Sequence, residues 1–446
     1  MSFKGKQNRK PGTRPQSTRE LLDAYVPDLP DRIAGHLSRT IMRLITAGRP
    51  AVFRYGFDKK EMRGRQVLIL AQHVSRDDPY YVAAGYPFVL PNAVMSLHNV
   101  LVPGFFRMLL ADGVILKSLY EPDIKAMRHM MRLHKKGASF LIFPEGIDSA
   151  DGTTQPVHPA TARLVKKLSM DTVLCTAHGA YLSHPRFDNN IRKGRIEYGF
   201  DMLFTKEEIG EMSEEELYSR LVRQFRYNDF AWNREKQYSY RGKVPCAHGV
   251  DNILFICPQC GRQFTMHVEG DRLACSCGHS VTIDDRYNLI PDDSCFPFAG
   301  IDEWYHWQQD VIAEEVMQDG FGMCEDVSYM MLNLDGRDLK KGRLINVGEG
   351  RLELDSRQIR YTGTKHGEEA DLSFDLSRIP SATLTTSIAN EFYYDGVFHQ
   401  FDIKGDRRHA VKIMLAVEAL HETASDGRRK AREDAQEPDN DAGGRR

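Results

Sequence analysis

The sequence predicts an α/β domain with a largely parallel sheet, followed by a small cysteine-rich module and a β-rich C-terminal region. Short apolar runs typical of buried strands alternate with helical patterns over the first half of the chain. Two closely spaced cysteine pairs follow, and alternating strand patterns dominate the part after them. With 446 residues, of which 41% are hydrophobic, the chain is long enough to form several packed domains.

The first region contains three short apolar strand patterns, at 67–71, 138–143 and 171–175. Helical patterns at 123–136 and 158–168 separate them, and this alternation is typical of a parallel sheet with crossover helices. Ser213 and Glu216 form a capping-box pattern, which predicts that a helix over 214–227 closes the domain.

Composition divides the chain into five parts. We expect an unstructured basic arm (1–18), an α/β domain with an N-terminal amphipathic helix (19–243), a cysteine module (244–295), a β-rich domain (296–422) and an unstructured tail (423–446). The sequence has no apolar run of about 18 residues and no signal-peptide core, so we expect a cytoplasmic protein.

His73 is the first candidate catalytic residue. It follows the strand pattern at 67–71, and four residues separate it from Asp78, so one helical turn after the loop would bring the carboxylate to the imidazole. A carboxylate in that position fixes the imidazole tautomer and stabilises the imidazolium that forms when histidine accepts a proton. The spacing therefore favours a general base.

Two downstream segments give the histidine a context. Phe143-Pro144-Glu145-Gly146-Ile147-Asp148-Ser149 follows the second strand, and Gly113-Val114-Ile115-Leu116-Lys117 lies between it and His73. In this order the segments resemble the glycerolipid acyltransferase family, whose best-known member acylates 1-acylglycerol 3-phosphate. That family has a histidine and an aspartate with four residues between them, then a Gly/Arg segment, then Phe-Pro-Glu-Gly-Thr-Arg-Ser. The resemblance covers about residues 55–185.

The resemblance implies that His73 deprotonates an acceptor hydroxyl, that Asp78 orients His73, and that acyl-CoA or an acyl carrier protein donates the acyl group. The acceptor would be a lysophospholipid-like molecule. The residues expected to bind substrate are Gly113, Lys117, Phe143, Pro144, Glu145, Gly146 and Ser149. Two departures concern the acceptor: Ile147 and Asp148 stand where the family has Thr-Arg, and Lys117 stands in place of an arginine.

Residues 31–48 form an amphipathic pattern. One helical face carries Ile33, Leu37, Ile41, Leu44 and Ile45, and the basic stripe beside it carries Arg32, His36, Arg39 and Arg43. Such a helix is typical of peripheral attachment to an anionic membrane surface, here the cytoplasmic membrane. The alternative is that the apolar face packs on the core of the domain.

The cysteine module has the pattern Cys257-x-x-Cys260 and Cys275-x-Cys277, joined by a predicted hairpin. Two such pairs across a hairpin predict a zinc ribbon, in which the four thiolates hold a tetrahedral structural Zn²⁺. Cys246, His248 and His279 are alternative ligands, and iron or an empty site is the alternative to zinc. Residues 246–290 contain three arginines and five acidic residues, and this balance argues against a nucleic-acid partner.

The C-terminal pattern of strands ending in one helix resembles a pleckstrin-homology or GRAM-like module. Such a module suggests lipid or protein binding. A second functional class therefore stays open, namely an inactive acyltransferase-like scaffold that binds lipid or a protein partner through its C-terminal modules. The feature that favours this alternative is Asp148 in place of an arginine.

Overall fold

The computed structural model describes residues 17–118, 123–292, 296–335, 342–385 and 389–436, and the side chains among them up to residue 424. The chain divides into two units. The first is Met1–His306 with Leu332–Ile345, and the second is Trp307–Met331 with Asn346–Arg446. The basic arm expected at 1–18 falls almost entirely outside the described residues.

The first unit begins with the α/β region. Its elements are α1 (Thr18–Ala24), α2 (Arg32–Thr46), β1 (Val52–Tyr55), β2 (Val67–Ala71), α3 (Asp78–Gly85), β3 (Asn92–Ser96), α4 (Leu97–Val100), α5 (Phe106–Ala111), β4 (Ile115–Lys117), α6 (Ile124–His134), β5 (Phe140–Ile142), α7 (Ala160–Leu168), β6 (Asp171–His178), α8 (Ala180–Ser183), β7 (Arg192–Lys193), β8 (Glu197–Phe204), α9 (Lys206–Glu211), α10 (Glu214–Phe225), α11 (Asp229–Lys236) and β9 (Arg241–Gly242).

Seven of these strands form a sheet in the order β1-β8-β6-β2-β5-β3-β4. The pairing is parallel throughout except between β6 and β8, which confirms the largely parallel sheet. β2 lies in the middle and is fully buried, as expected for a run of aliphatic residues covered on both faces. Leu68 and Leu70 of β2 pack in one core with Leu133 of α6, Val165 of α7 and Leu221 of α10.

The predicted helices and strands of this region are confirmed, with shifts of a few residues at their ends. The capping box is present at the start of α10: Ser213 Oγ accepts a hydrogen bond from the Glu216 N–H (3.2 Å), and Glu216 Oε2 accepts one from the Ser213 N–H (2.8 Å). Local patterns were sufficient here because both partners lie within one helical turn.

The parallel strands of this sheet end at a shared edge. The carboxyl ends of β2 to β6 lie along the same edge of the sheet, which we call the carboxyl edge. The chain leaves β2 there towards His73, β5 towards Phe143 and β3 towards His98. Loops at this edge are where open α/β sheets bind their ligands.

The cysteine-rich part of the first unit is a small antiparallel sheet. Its strands are β10 (Met266–Glu269), β11 (Arg272–Cys275), β12 (Ser280–Ile283) and β13 (Leu289–Pro291), paired in that order. β10 and β11 form the predicted hairpin, with Glu269 opposite Arg272. α12 (Ile301–Val316) then leads from the first unit into the second.

The second unit is built on a seven-stranded sheet. Its elements are β14 (Met323–Leu332), β15 (Leu344–Leu354), β16 (Gln358–Lys365), β17 (Glu368–Asp375), β18 (Thr383–Leu384), β19 (Asn390–Tyr394), β20 (Val397–Ile403) and α13 (Arg408–Gln436). The sheet order is β17-β16-β15-β14-β20-β19-β18. A β-rich region with one terminal helix is therefore confirmed, whereas its likeness to a pleckstrin-homology or GRAM domain stays a prediction.

α13 differs from the expectation at its end. It continues to Gln436 and so covers 423–436, which composition had assigned to an unstructured tail. The segment contains three alanines and three arginines, two residue types of high helix propensity. Among the described helices, none combines the length and the hydropathy that crossing a membrane requires.

Candidate functional site

His73 and Asp78 are in contact at the carboxyl edge. His73 lies in the loop after β2, and Asp78 is the first residue of α3, so the turn between them folds the carboxylate back onto the imidazole. His73 Nδ1 is 3.3 Å from Asp78 Oδ2 and 3.2 Å from the Ser75 carbonyl oxygen. Both neighbours are acceptors, so Nδ1 carries the hydrogen and Nε2 is left with its basic lone pair.

The Asp78 carboxylate is completely buried and is held by three donors. Besides His73, the Ser75 N–H donates to Oδ2 (2.7 Å) and the Tyr198 hydroxyl donates to Oδ1 (2.5 Å). Burial raises the pKa of Asp78, and the hydrogen bonds from His73, Tyr198 and Ser75 oppose that rise. The three bonds fix both carboxylate oxygens and thereby fix the orientation of the imidazole.

The His73 side chain is 15% exposed. Burial by itself would lower its pKa, but the hydrogen bond to Asp78 and the negative charges of Asp148, Asp78 and Glu145 outweigh that effect. The net result is that the pKa of His73 lies above its ordinary value. The site therefore favours a histidine that accepts a proton readily.

Residues 143–149, which we call the FPEG loop, close around His73. The rings of Phe143 and His73 lie 4.3 Å apart, centroid to centroid. Glu145 Oε1 accepts from the His73 N–H (2.8 Å), and Glu145 Oε2 accepts from the Gln155 N–H (2.7 Å). The Ser149 N–H donates to the His73 carbonyl oxygen (2.9 Å). The loop thus holds the backbone on both sides of the imidazole.

This geometry gives Glu145 and Ser149 a supporting role. Both oxygens of Glu145 bind backbone N–H groups, and its burial raises the pKa of the carboxyl to about 7. The Ser149 hydroxyl is buried and donates to Asp151 Oδ1 (3.0 Å). Gly146 has a φ of 84°, a conformation that glycine adopts without strain, and it lets the loop turn after Pro144.

The two residues of the intermediate segment lie at different places. Lys117 ends β4 and therefore lies at the carboxyl edge, where its Nζ donates to the Ser118 carbonyl oxygen (3.1 Å). Gly113 precedes β4 and lies at the opposite edge. A Cβ there would be 2.0 Å from the Asp28 carbonyl oxygen and 2.5 Å from Asn92 Nδ2. The structure does not bring Gly113 to His73, and close packing accounts for the glycine.

Asp148, in the FPEG loop, forms a buried ion pair with Arg186. Burial would raise the pKa of Asp148, but the positive charges of Arg186, His73 and Arg76 hold it below its ordinary value. The Asp148 carboxylate is therefore paired with a guanidinium from a different loop. Arg186 and Tyr198 carry no local sequence signal, since their partners are 38 and 120 positions away.

The four cysteines of the module form a compact cluster. The ligand atoms of Cys257, Cys260, Cys275 and Cys277 all lie within 4.8 Å of one another, and the sulfur pairs Cys257–Cys277 and Cys260–Cys275 are each 3.8 Å apart. A tetrahedron of sulfurs about 2.3 Å from a central ion has edges of about 3.8 Å, so the cluster fits a bound metal ion.

The alternative ligands Cys246, His248 and His279 lie outside this cluster. The Cys246 thiol donates to the Tyr240 carbonyl oxygen (3.2 Å), and His248 Nδ1 is 3.1 Å from Asp188 Oδ2. His279 stacks on the Phe296 ring. The cluster therefore consists of the four cysteines that the spacing predicted.

No protein-family profile matches the sequence. Among solved structures, the chain is similar to the 1-acyl-sn-glycerophosphate (LPA) acyltransferase PlsC from Thermotoga maritima, with a TM-score of 0.38 and 16% sequence identity. The match covers 43% of this chain and 76% of that one.

The Tyr198 hydrogen bond can be tested by stability. Tyr198→Phe removes a donor from a buried carboxylate, and we expect a loss of about 2 kcal/mol in the free energy of unfolding. The matched control is Tyr55→Phe, which removes a hydrogen bond to the neutral Gly85 carbonyl oxygen (2.6 Å) and should cost about 1 kcal/mol. Urea denaturation followed by circular dichroism measures both. Equal losses would contradict the role assigned to Tyr198.

Proposed function

We propose that the chain is an acyltransferase that moves a fatty acyl group from a thioester to the hydroxyl of a lysophospholipid-like acceptor. The observation that carries the proposal is the His73–Asp78 pair at the carboxyl edge, with its protonated Nδ1, its free Nε2 and its place against the FPEG loop. A histidine held in this way is suited to removing a proton from an acceptor, and its raised pKa makes it a stronger base.

The proposed reaction needs no covalent intermediate on the protein. His73 Nε2 accepts the proton of the acceptor hydroxyl as the oxygen attacks the thioester carbonyl, so that a C–O bond forms. The tetrahedral intermediate then expels the thiolate as the C–S bond breaks. The imidazolium returns its proton to the thiolate, and Asp78 stabilises the positive charge of His73 between these two steps.

Replacing the base tests the proposal. We expect His73→Ala to lower kcat by roughly 10²–10⁴-fold in an assay with acyl-CoA or acyl carrier protein donors and lysophospholipid or glycerol phosphate acceptors. In the unmodified protein, neutral His73 is the active form, and its pKa is raised. We therefore expect kcat/KM to fall as the pH drops through a value above 6.5.

The control is His129→Ala, a half-buried histidine on α6 away from the FPEG loop, which should retain full activity. Transfer that persists unchanged in a folded His73→Ala variant would overturn the mechanism. Absence of transfer by folded, unmodified protein from every donor and acceptor would favour the inactive scaffold, in which the domain binds without reacting.

We also propose that α2 attaches the protein to an anionic membrane surface at the cytoplasmic face. α2 packs on the domain through small and medium residues, namely Ala34, Gly35, Ser38, Met42 and Thr46. Its large aliphatic side chains are turned outwards: Ile33 and Leu44 are each 70% exposed, and Leu37 is 54% exposed. The alternative, in which the apolar face of α2 packs on the core of the domain, does not hold for these three exposed side chains.

The location of α2 fits this proposal. Arg32 and Arg43 lie beside the apolar face and are exposed, which matches a negatively charged surface. α2 packs against α3, whose first residue is Asp78, and the Arg43 Nε donates to the Ala84 carbonyl oxygen (3.1 Å). A membrane contacted by α2 would thus lie near the helix that orients His73.

Vesicle binding tests this surface. We expect the double variant Ile33→Glu/Leu44→Glu to lose most of its co-sedimentation with vesicles that contain phosphatidylglycerol, because it places two charges in the apolar face. Ile290→Glu, on a 52% exposed isoleucine of β13, should bind as the unmodified protein does. Equal binding by the α2 variant would contradict the proposal.

For the cysteine cluster we propose a structural Zn²⁺. Four thiolates in a closed tetrahedral set leave no position for a substrate, so the ion would clip the small sheet β10–β13 rather than take part in transfer. The module's short strands give it little core of its own, and a metal crosslink compensates for that.

Metal analysis tests the zinc site. We expect about one zinc per chain, and we expect Cys257→Ser to lose the metal and to lower the melting temperature. Cys324→Ser, at an exposed cysteine of the second unit, should keep both. A metal-free, equally stable unmodified protein would contradict the assignment.

A further inference from the structure

The segment Leu332–Ile345 belongs to the first unit, although the strands that flank it continue into the second. Leu332 and Leu334 pack against an apolar cluster that includes Phe106. The Arg19 N–H also donates to the Leu334 carbonyl oxygen (2.8 Å). The described residues of this segment are therefore anchored on the α/β region by both apolar and backbone contacts.

Among the described residues of this segment, Arg343 is a charged residue that lies at the carboxyl edge. Its backbone is fixed because its carbonyl oxygen accepts from the Asn333 N–H (2.8 Å). Its guanidinium lies 3.4 Å from the His98 carbonyl oxygen and 3.5 Å from Asn99 Oδ1. Both acceptors are neutral, so these contacts position the positive charge without neutralising it.

His98 connects Arg343 with the catalytic centre. It follows β3 at the carboxyl edge and is 4% exposed. Burial and the positive charges of Arg343 and Arg186 lower its pKa to about 3, although Asp148 opposes them. Arg343 lies against the backbone of His98, and the Arg186–Asp148 ion pair is close enough to act on the buried imidazole. Asp148 also acts on His73.

A third guanidinium lies in the same region. Arg76 donates to the carbonyl oxygens of Pro185 (2.7 Å) and Asp188 (2.9 Å) and to Asn189 Oδ1 (3.0 Å), all of which are neutral. Its buried Nε has no hydrogen-bond partner. Asp148 lies close enough to raise the pKa of Arg76, which burial lowers.

The charges near His98 do not balance. The guanidiniums of Arg76, Arg186 and Arg343 act here against the carboxylates of Asp148 and Asp77. Asp77 is engaged by Arg49 (2.6 Å) and by His184 Nδ1 (2.8 Å), and Asp148 is paired with Arg186, so each carboxylate already has a guanidinium partner. The carboxyl edge beside His73 thus has an excess of guanidinium groups.

We propose that Arg343, with Arg186 and Arg76, binds a phosphate group of a substrate beside His73. The inference rests on the proposed acyl transfer, since the bound phosphate would hold the reacting molecule at the base. Guanidinium groups suit phosphate because they donate paired hydrogen bonds in a plane. The phosphate can belong to the acceptor headgroup or to the nucleotide part of the acyl-CoA donor.

Direct binding separates this inference from catalysis. The full-length protein is titrated by calorimetry at fixed ionic strength with sn-glycerol 3-phosphate for the acceptor and adenosine 3′,5′-bisphosphate for the donor. We expect Arg343→Ala to weaken one of the two by roughly tenfold or more, and Arg343→Lys to weaken it less. Arg351→Ala, at an exposed arginine of β15, is the control and should bind as the unmodified protein does.

The Asp148→Asn variant should change the affinity for the phosphate probe in the opposite direction. It removes the negative charge among the three guanidiniums, so the same probe should bind more tightly. Loss of glycerol phosphate binding in Arg343→Ala would assign the site to the acceptor, and loss of the bisphosphate would assign it to the donor. Unchanged affinity for both probes in the folded Arg343→Ala variant would overturn the inference. Phosphate binding that depends on Arg343 without any acyl transfer would overturn only the proposed function.

Discussion

The buried Asp78 carboxylate is the constraint on which the site depends. A carboxylate out of contact with water is costly unless its oxygens are hydrogen-bonded, and here the donors come from three parts of the fold: the loop after β2, the first turn towards α3 and the strand β8. Because β8 pairs with β6 and β6 with β2, the sheet itself sets the distance from Tyr198 to Asp78. The orientation of His73 is thus a property of the whole sheet.

Electrostatics adds a second layer to this arrangement. The FPEG loop brings the carboxyl groups of Glu145 and Asp148 towards His73, which favours the protonated imidazole that the proposed transfer requires. The guanidiniums of Arg186 and Arg76 offset the negative charge of Asp148. The site therefore combines a stabilised proton acceptor with a positively charged surround, and these two features suit a hydroxyl acceptor that reacts close to a phosphate.

Much of the fold was readable from local patterns. Aliphatic runs predicted the buried strands, and the capping box predicted α10. Residue spacing predicted the His73–Asp78 contact and the cluster of four cysteines. Partners distant in sequence were not readable: Tyr198 and Arg186 reach the site only through sheet order and loop packing. Gly113 is the opposite case. The motif predicted that it binds substrate, but it lies at the opposite edge of the sheet, where close packing leaves no room for a side chain.

The most direct test of the account is the protonation state of His73 itself. Two-bond ¹H–¹⁵N spectra of ¹⁵N-histidine-labelled protein, recorded across pH, report the tautomer and the pKa, and comparison with His73→Gln identifies the signal. The account predicts a hydrogen on Nδ1, an unprotonated Nε2 and a titration midpoint above 6.5. A hydrogen on Nε2 in the neutral form, or a midpoint at or below 6.5, would contradict it.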